Sequence, residues 1–423
     1  MRRLRTFLLF VALTVVGVAA SARTHPSPRR ALGTASHAAE QSTHAGGGDA
    51  KHWACKIVAL LTVLAVGGFL MAVSGIIPLK ASSGHWPITT WLLELAKHRS
   101  VATHTLGLNA PALDAPQLVL KGAGHYETGC SPCHGSPELR HPRMVQQMLP
   151  PPPYLPPRLS AWEPAELFYI VKHGIKFTGM PAWPARQRDD EVWAMVAFLR
   201  ALPTLDAAAY RRLVYGDAVP HETVVPLHGL LAPGKVPTAV TASCARCHGV
   251  DGRGRGIGAF PKLAGQRALY LLASLEAFAR GERHSGMMEP IAAGLSFEAM
   301  REVARYYASL PEPWPSPPPQ DAMLAFERGQ AIASRGIPRQ RVPACVACHG
   351  PGATHRNPVY PALAGQYADY LVLQLELFQK AHRGGSSYAH LMRVIAARLT
   401  AEQMRDVALY YASLPNIRTP PVQ

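Results

Sequence analysis

The apolar pattern splits the chain in two. Near its start lie two unbroken apolar runs, Thr6 to Ala20 and Ile57 to Pro78; further on, apolar residues recur every three or four positions, the period of helices that bury one face. The first run is short, follows Arg2, Arg3 and Arg5, and ends on Ala-Ser-Ala, which is the grammar of a signal peptide. The second run carries no charge and is long enough to cross a bilayer.

The two runs conflict, because export by the first followed by a crossing at the second returns everything after residue 80 to the cytoplasm. We resolve this with Ile57 to Ile77 as the single span, an uncleaved signal-anchor with Lys51 and Lys56 on its cytoplasmic flank. Residues 1–50, rich in Ala, Ser, His and Gly, are then a disordered extension or a mis-assigned start, and residues 51–82 form a transmembrane anchor. Past the span, Trp86 and Trp91 have the character of interfacial anchors. Trp91 to Val101 reads as a short amphipathic helix, either at the membrane surface or packed on the first compact segment.

Three compact segments follow, separated by Pro-rich joints, so the expected arrangement is beads on a string. Among the 423 residues, 39 are proline, which favours stiff connections. The last two segments repeat each other: Pro261-Lys-Leu-Ala-Gly-Gln266 matches Pro361-Ala-Leu-Ala-Gly-Gln366, and Arg305-Tyr-Tyr-Ala-Ser-Leu-Pro311 matches Leu409-Tyr-Tyr-Ala-Ser-Leu-Pro415. An offset of about 100 residues is a duplicated domain, since solenoid repeats are far shorter. Each copy predicts a helix, a cysteine motif, a loop, a long helix (Tyr270 to Arg280; Tyr370 to Lys380), a Met-bearing loop and a closing helix with a capped start (Ser296-Phe-Glu298; Thr400-Ala-Glu402). The first segment closes in the same way with Asp189 to Leu202. Almost no alternating pattern is visible, so the fold class is all-α.

Six of the seven cysteines fall in three like motifs, Cys130-Ser-Pro-Cys133-His134, Cys244-Ala-Arg-Cys247-His248 and Cys345-Val-Ala-Cys348-His349. CxxCH is the attachment signature of haem c: two thiols on one helical turn reach the two vinyl groups, and the adjoining His faces the iron. Three copies, each opening a segment of similar size, imply three covalently bound haem c groups. Attachment takes place outside the cytoplasm, which supports the single-span topology. Zinc needs further Cys or His ligands at regular spacing, and a redox dithiol needs a βαβ context; neither recurs. The seventh cysteine, Cys55, reads as a small hydrophobe at the membrane boundary.

What fills the sixth position on each iron separates a carrier from a catalyst. Each segment offers a methionine at similar distance beyond its His: Met180 in Thr178-Gly-Met-Pro-Ala-Trp183, Met288 after Met287, and Met392. A thioether raises the reduction potential and closes the iron to substrates. Met288 and Met392 both stand seven residues before the Leu that opens the closing helix (Leu295, Leu399), a register that selects Met288 over Met287. His173, His284 and His390 compete as alternative ligands. Pro261 and Pro361 follow their haem His by 13 and 12 residues, where a carbonyl can accept the proximal Nδ1–H and orient the ring; in the first segment Pro150 to Pro157 is too degenerate to choose from.

Formal charge is +16, which taken alone suits a nucleic-acid binder, a membrane surface or a docking partner for acidic proteins. Six cations lie in the first 30 residues, no basic run is interleaved with aromatics, and the propionates of three haems cancel up to about six more charges. Nucleic acid is therefore not an expected partner.

At these residues the sequence resembles known families. Residues 238 to 417 resemble the two-haem cytochrome c4 type through CxxCHG, PxLAGQ, the Met loop and YYASLP, each present twice. Residues 83 to 205 are similar to the single-haem class I cytochromes encoded with membrane oxidoreductases, through HWPITTWLLEL, HGIKFTGMPAW and DDEVWAMVAFLRALP. With three motifs and one span, the expected arrangement is three domains in tandem behind one transmembrane helix, a departure from the usual two-haem pattern: 83–205, a linker at 206–237, 238–313, a Pro-rich linker at 314–320, and 321–423; the resemblance implies a class I cytochrome c fold for each. It also implies His/Met ligation, by His134 and Met180, His248 and Met288, and His349 and Met392. Electrons then pass, on the periplasmic face of the inner membrane, from a dehydrogenase or quinol-oxidising complex to a terminal oxidase or reductase. Two further readings stay open: the cytochrome subunit of a membrane-bound alcohol or sugar dehydrogenase, and a haem peroxidase or reductase, which needs an open iron. The expected role is a carrier rather than an enzyme.

Overall fold

A computed structural model describes residues 47–77, 80–216, 236–311, 317–350 and 357–414. The signal-like run Thr6 to Ala20, nearly all of the 1–50 extension, most of the 206–237 linker and the start of the 314–320 linker lie outside the described residues. Among those residues every regular element is helical, and a single bridge joins Ile337 to Val342.

Helix α1, Gly47–Val73, stands as a unit of its own. Its stretch His52–Val73, 22 residues, is long and apolar enough to cross a membrane. Large apolar side chains from Ile57 to Val73 are exposed along it.

The second unit opens with α2, Pro87–His104, longer at both ends than Trp91 to Val101. Pro87 starts it early because its fixed φ and missing N–H suit a first helical position. Among its residues only Val101 is buried; Trp86, Ile88, Trp91 and Leu92 are exposed, while His98 stacks on Trp162 at 4.6 Å.

The first module contains α3 (Pro116–Gly129), α4 (Ser131–His134), α5 (Pro164–His173), α6 (Asp189–Ala201) and α7 (Ala207–Tyr215). Helices α3 and α6 cross at Gly122, where a Cβ would stand 2.2 Å from the Ala194 carbonyl oxygen, so only glycine admits the approach. Tyr126, Met195, Phe198 and Leu202 fill the core. Helix α7 lies past the expected boundary at 205, yet its Tyr210 and Val214 are fully buried in the same core.

The second module holds α8 (Ala245–His248), α9 (Ala268–Ala279), α10 (Met288–Ala293) and α11 (Phe297–Ser309). The third holds α12 (Met323–Arg335), α13 (Val346–His349), α14 (Ala368–Gln379), α15 (Ala389–Ala396) and α16 (Ala401–Ala412). Both closing helices are capped as their sequences suggest: Ser296 Oγ accepts from Ala299 N at 3.2 Å, and Thr400 forms a capping box with Gln403. Gly329 repeats the role of Gly122, lying under the Asp406 carbonyl where α12 crosses α16. The helix expected before the second motif is, among the described residues, a π-turn over Val240–Cys244 that runs into α8.

The modules are not separate beads. The first rests on the second at Gly124, where a Cβ would meet Cys247 Sγ at 3.0 Å, and at Arg188 and Glu191, which bond to residues 284–286. The second and third exchange hydrogen bonds through their two PxLAGQ loops. Buried polar groups at both seams find partners across them, which holds the contact surfaces together.

Gly122→Ala is expected to destabilise the first module by about 1–3 kcal/mol, since the added methyl overpacks a backbone crossing. Thermal melting followed by circular dichroism checks this; an unchanged melting temperature would show that the crossing yields.

Candidate functional site

Each motif occupies one helical turn, which brings its two cysteines to the same side. His134 N donates to Cys130 O at 2.9 Å, and His349 N donates to Cys345 O at 2.8 Å. The glycine after the first two motifs has φ of +70° (Gly135) and +76° (Gly249), a left-handed turn that frees the histidine from the helix. A fully buried tyrosine from a neighbouring helix holds each: Tyr126 Oη donates to Gly135 O at 2.7 Å and Tyr307 Oη to Gly249 O at 2.9 Å.

All three histidines point Nδ1 at a proline carbonyl. The distances are 2.9 Å from His134 to Pro153, 3.1 Å from His248 to Pro261 and 3.1 Å from His349 to Pro361. A carbonyl cannot donate, so Nδ1 carries the proton and Nε2 keeps its lone pair for a metal. Burial lowers the pKa of His134 and His248, and the carbonyl hydrogen bonds oppose this in part. Pro153 lies in the run from which sequence could not choose; four consecutive prolines carry no positional signal.

Burial also pushes up the first thiol of each motif, Cys130 to about 12 and both Cys244 and Cys345 to about 11. Thiols held neutral by burial are poor nucleophiles for thiol exchange.

One cavity of about 910 Å³ joins the second and third motifs. Cys247, His248 and Met288 line it from one module, and Cys348, His349 and Met392 from the other. Met287 also reaches the cavity, but it packs on the core of the first module, whereas Met288 begins α10. Met180 sits on a loop fixed by two bonds, its N–H to Thr178 Oγ1 at 3.1 Å and its carbonyl to Ile175 N at 3.2 Å. Met148, which sequence reasoning did not weigh, packs against the adjacent Gly179. His173 and His390 are exposed, while His284 lines the cavity with Nδ1 3.5 Å from Glu289. Cys55 is exposed on α1.

The electrostatics of this cavity fit a haem. Arg283 and Arg383 face it from equivalent places in the two modules, each over a phenylalanine, at 4.6 Å from Phe278 and 4.5 Å from Phe378. Arg283 bonds Ser274 Oγ (2.9 Å) and Tyr370 Oη (3.2 Å), and Arg383 bonds Tyr270 Oη (3.0 Å). Neither has a carboxylate partner among the described residues. Burial works against ionisation of the Tyr270 phenol, yet the two arginines outweigh it and draw the group below its ordinary value. Two guanidiniums in a mainly apolar cavity call for anions, which the propionates of a haem supply.

These features define an all-helical cytochrome c with several haem sites. Residues 117–199 match the family "Cytochrome C oxidase, cbb3-type, subunit III", and residues 235–311 match "Cytochrome c". The "Thiosulfate dehydrogenase electron acceptor" of Thiomonas intermedia is 38% identical over 174 residues, 41% of this chain and 79% of that protein. Cytochrome c4 of Thiocapsa roseopersicina is 35% identical over 173 residues, 40% of this chain and 86% of that protein. The crystal structure of reduced cytochrome c4 from Pseudomonas stutzeri aligns with a TM-score of 0.39 at 28% identity, over 43% of this chain and 99% of that one. The chain belongs to the multihaem class I cytochromes c and carries a cytochrome c4-like region.

In the haem-loaded protein, Arg283→Gln is expected to lower the midpoint potential of a haem in the c4-like region. The oxidised iron carries the extra positive charge, so a nearby cation favours reduction, and its loss favours oxidation. A unit charge acting over about 10 Å at an effective dielectric of about 20 contributes roughly 1.7 kcal/mol, or about 70 mV for one electron. Spectroelectrochemical titration checks it; unchanged midpoints would remove Arg283 from the haem environment.

Proposed function

We propose that this chain is a three-haem electron carrier anchored in the inner membrane, with its haem modules on the periplasmic side. The observation that carries this reading is the recurrence at all three CxxCH motifs of one contact, histidine Nδ1 to proline carbonyl, at 2.9–3.1 Å. Cys130 and Cys133, Cys244 and Cys247, and Cys345 and Cys348 would hold the porphyrins. His134, His248 and His349, with Met180, Met288 and Met392, would be the iron ligands. Bound haem iron supplies a one-electron couple between ferric and ferrous states.

The protein's part is to keep that couple poised and closed. The carbonyls of Pro153, Pro261 and Pro361 fix the imidazole tautomer and raise its basicity. Thr178 and Gly174 hold the Met180 loop in place: Thr178 bonds the Met180 N–H, and at Gly174, φ +64°, a Cβ would stand 2.6 Å from the Met180 carbonyl oxygen. Tyr126 and Tyr307 lock the backbone behind the first two motifs.

Relatives named as electron acceptors of thiosulfate dehydrogenase support a dehydrogenase as the donor, an enzyme oxidising a small sulfur compound among the candidates. The acceptor is then a terminal oxidase or reductase. The anchor is supported by the length and apolar character of His52–Val73, and the exposed Trp86 and Trp91 suit the interface beside it.

Purified from a strain that matures c-type cytochromes, the intact chain is expected to carry the mass of three added porphyrins, and a mass without them would end the proposal. Met180→His is expected to lower one midpoint potential by roughly 0.1–0.3 V, within the ~0.8 V span that axial ligands control. The reduced wild type should not bind carbon monoxide readily; ready binding by any haem would point to a peroxidase or reductase instead. A reporter fused after residue 120 is expected to be active only in the periplasm, and cytoplasmic activity there would overturn the topology.

A further inference from the structure

The first module meets the c4-like pair at a polar joint that carrying electrons does not by itself require. Glu191 is 2% exposed in the first turn of α6, where an acidic side chain ordinarily serves its own helix terminus. Here it turns to the neighbouring module. Ser285 Oγ donates to it at 2.6 Å, Gly286 N at 2.7 Å and Trp183 Nε1 at 3.2 Å, while Arg188 pairs with it at 3.0 Å. Arg188 is buried too, and donates to the His284 carbonyl at 2.7 Å.

The two segments tied by this carboxylate are the ones that matter. Ser285 and Gly286 lead into Met288, whose N–H donates to Ser285 Oγ at 3.1 Å. Trp183 closes the loop that begins with Met180, its N–H bonded to Lys172 O at 3.0 Å. The contact is tight, since a Cβ on Gly286 would stand 2.2 Å from Trp183 Nε1. Beside it, the His125 ring centroid is 4.7 Å from that of Trp183, and His125 also lines the cavity of the second module. One residue earlier, Gly124 abuts the Cys247 sulfur, on the helix that Cys130 caps. Burial first, and the Arg246 charge second, bring the His125 pKa down to about 4, so the ring stays neutral beside both sites.

We propose that Glu191 is a positioning residue that locks the first haem module onto the second, so that their haems exchange electrons across a fixed junction made by Trp183, His125 and the Gly124–Cys247 contact. The step is a one-electron exchange in which ferrous iron in one module becomes ferric as ferric iron in the other becomes ferrous. No bond is made or broken and no proton moves. This rests on the three-haem reading, and the experiment separates the two.

The full chain is purified in detergent in a Met180→His background, which sets the first haem apart in spectrum and potential. Less than one electron per molecule is delivered by pulse radiolysis, and its redistribution among the haems is followed. Glu191→Ala is expected to slow the phase that fills or empties the first haem at least tenfold, beyond what any accompanying shift in midpoint potential accounts for, with the haem count unchanged. Ser285→Ala, which removes the hydroxyl's bond to Glu191 together with those it accepts from the Met287 and Met288 N–H groups but keeps the charge pair, is expected to slow it several-fold and serves if Glu191→Ala fails to fold. Unchanged rates in both variants with three haems present would overturn the junction. Altered potentials at unchanged rates would overturn it as well, making Glu191 a tuning group. Fewer than three haems in the parent would instead overturn the three-haem reading.

Discussion

A proline carbonyl accepting the Nδ1 proton of each motif histidine is the contact on which the three sites depend. It sets the tautomer, and thereby which nitrogen is left for a metal. Proline suits the position because it has no N–H of its own to satisfy and its φ is fixed, so the carbonyl is held where the ring needs it. In the second and third modules the same proline opens the PxLAGQ loop, so the orientation of the imidazole and the joining of the modules share one stretch of backbone.

That stretch is clasped reciprocally. Gln266 is 7% exposed; its side chain accepts from Ala362 N at 2.8 Å and donates to Ala362 O at 3.0 Å. Gln366, 8% exposed, does the same for Lys262, at 3.0 Å in both directions. Each glutamine thus satisfies the backbone of the residue next to the partner's proline. A buried amide with donor and acceptor both paired costs little, and losing one strands the other module's peptide group. The seam with the first module follows the same rule with charged groups, through Arg188 and Glu191. Asp190 shares that arginine and also meets Lys121 at 3.1 Å; burial pushes its pKa up, but the bonds from Arg188 and the Lys121 charge hold it well below the usual carboxylate range.

Sequence periodicity was a sound guide wherever one helix buries one face. The long helices at Ala268–Ala279 and Ala368–Gln379, the capped closing helices and the all-α class were visible because pattern and caps are local. Local signals say nothing about contacts between modules, and there the reading fell short. Asp189, Asp190 and Glu191 look like an acidic helix start, yet two of the three serve Arg188, Lys121 and the next module. LAGQ was recognisable as a repeat, but a repeat does not reveal that each copy bonds the other. Helix α7 was assigned to a linker because nothing in Ala207–Tyr215 distinguishes a short amphipathic helix from a solvated one until Tyr210 finds the core. Pro153 could not be separated from its neighbours, since only the fold decides which of several identical carbonyls faces His134.

The basic excess takes on a different meaning in this light. Several of the cations are spent inside the fold rather than offered to a polyanion. Arg255 donates to the carbonyls of Leu213 (2.8 Å), Val214 (2.9 Å) and Arg212 (3.1 Å), closing the C-terminus of α7 from the second module. Arg398 donates to the Arg341 carbonyl at 2.7 Å, while Arg283 and Arg383 face the shared cavity. A guanidinium placed on helix-end carbonyls is a structural clamp, and one placed in a mainly apolar cavity is a demand for a bound anion. The formal charge of +16 is therefore that of the bare polypeptide, and the electrostatic surface met by a redox partner is set only once the anionic groups this cavity calls for are counted with it.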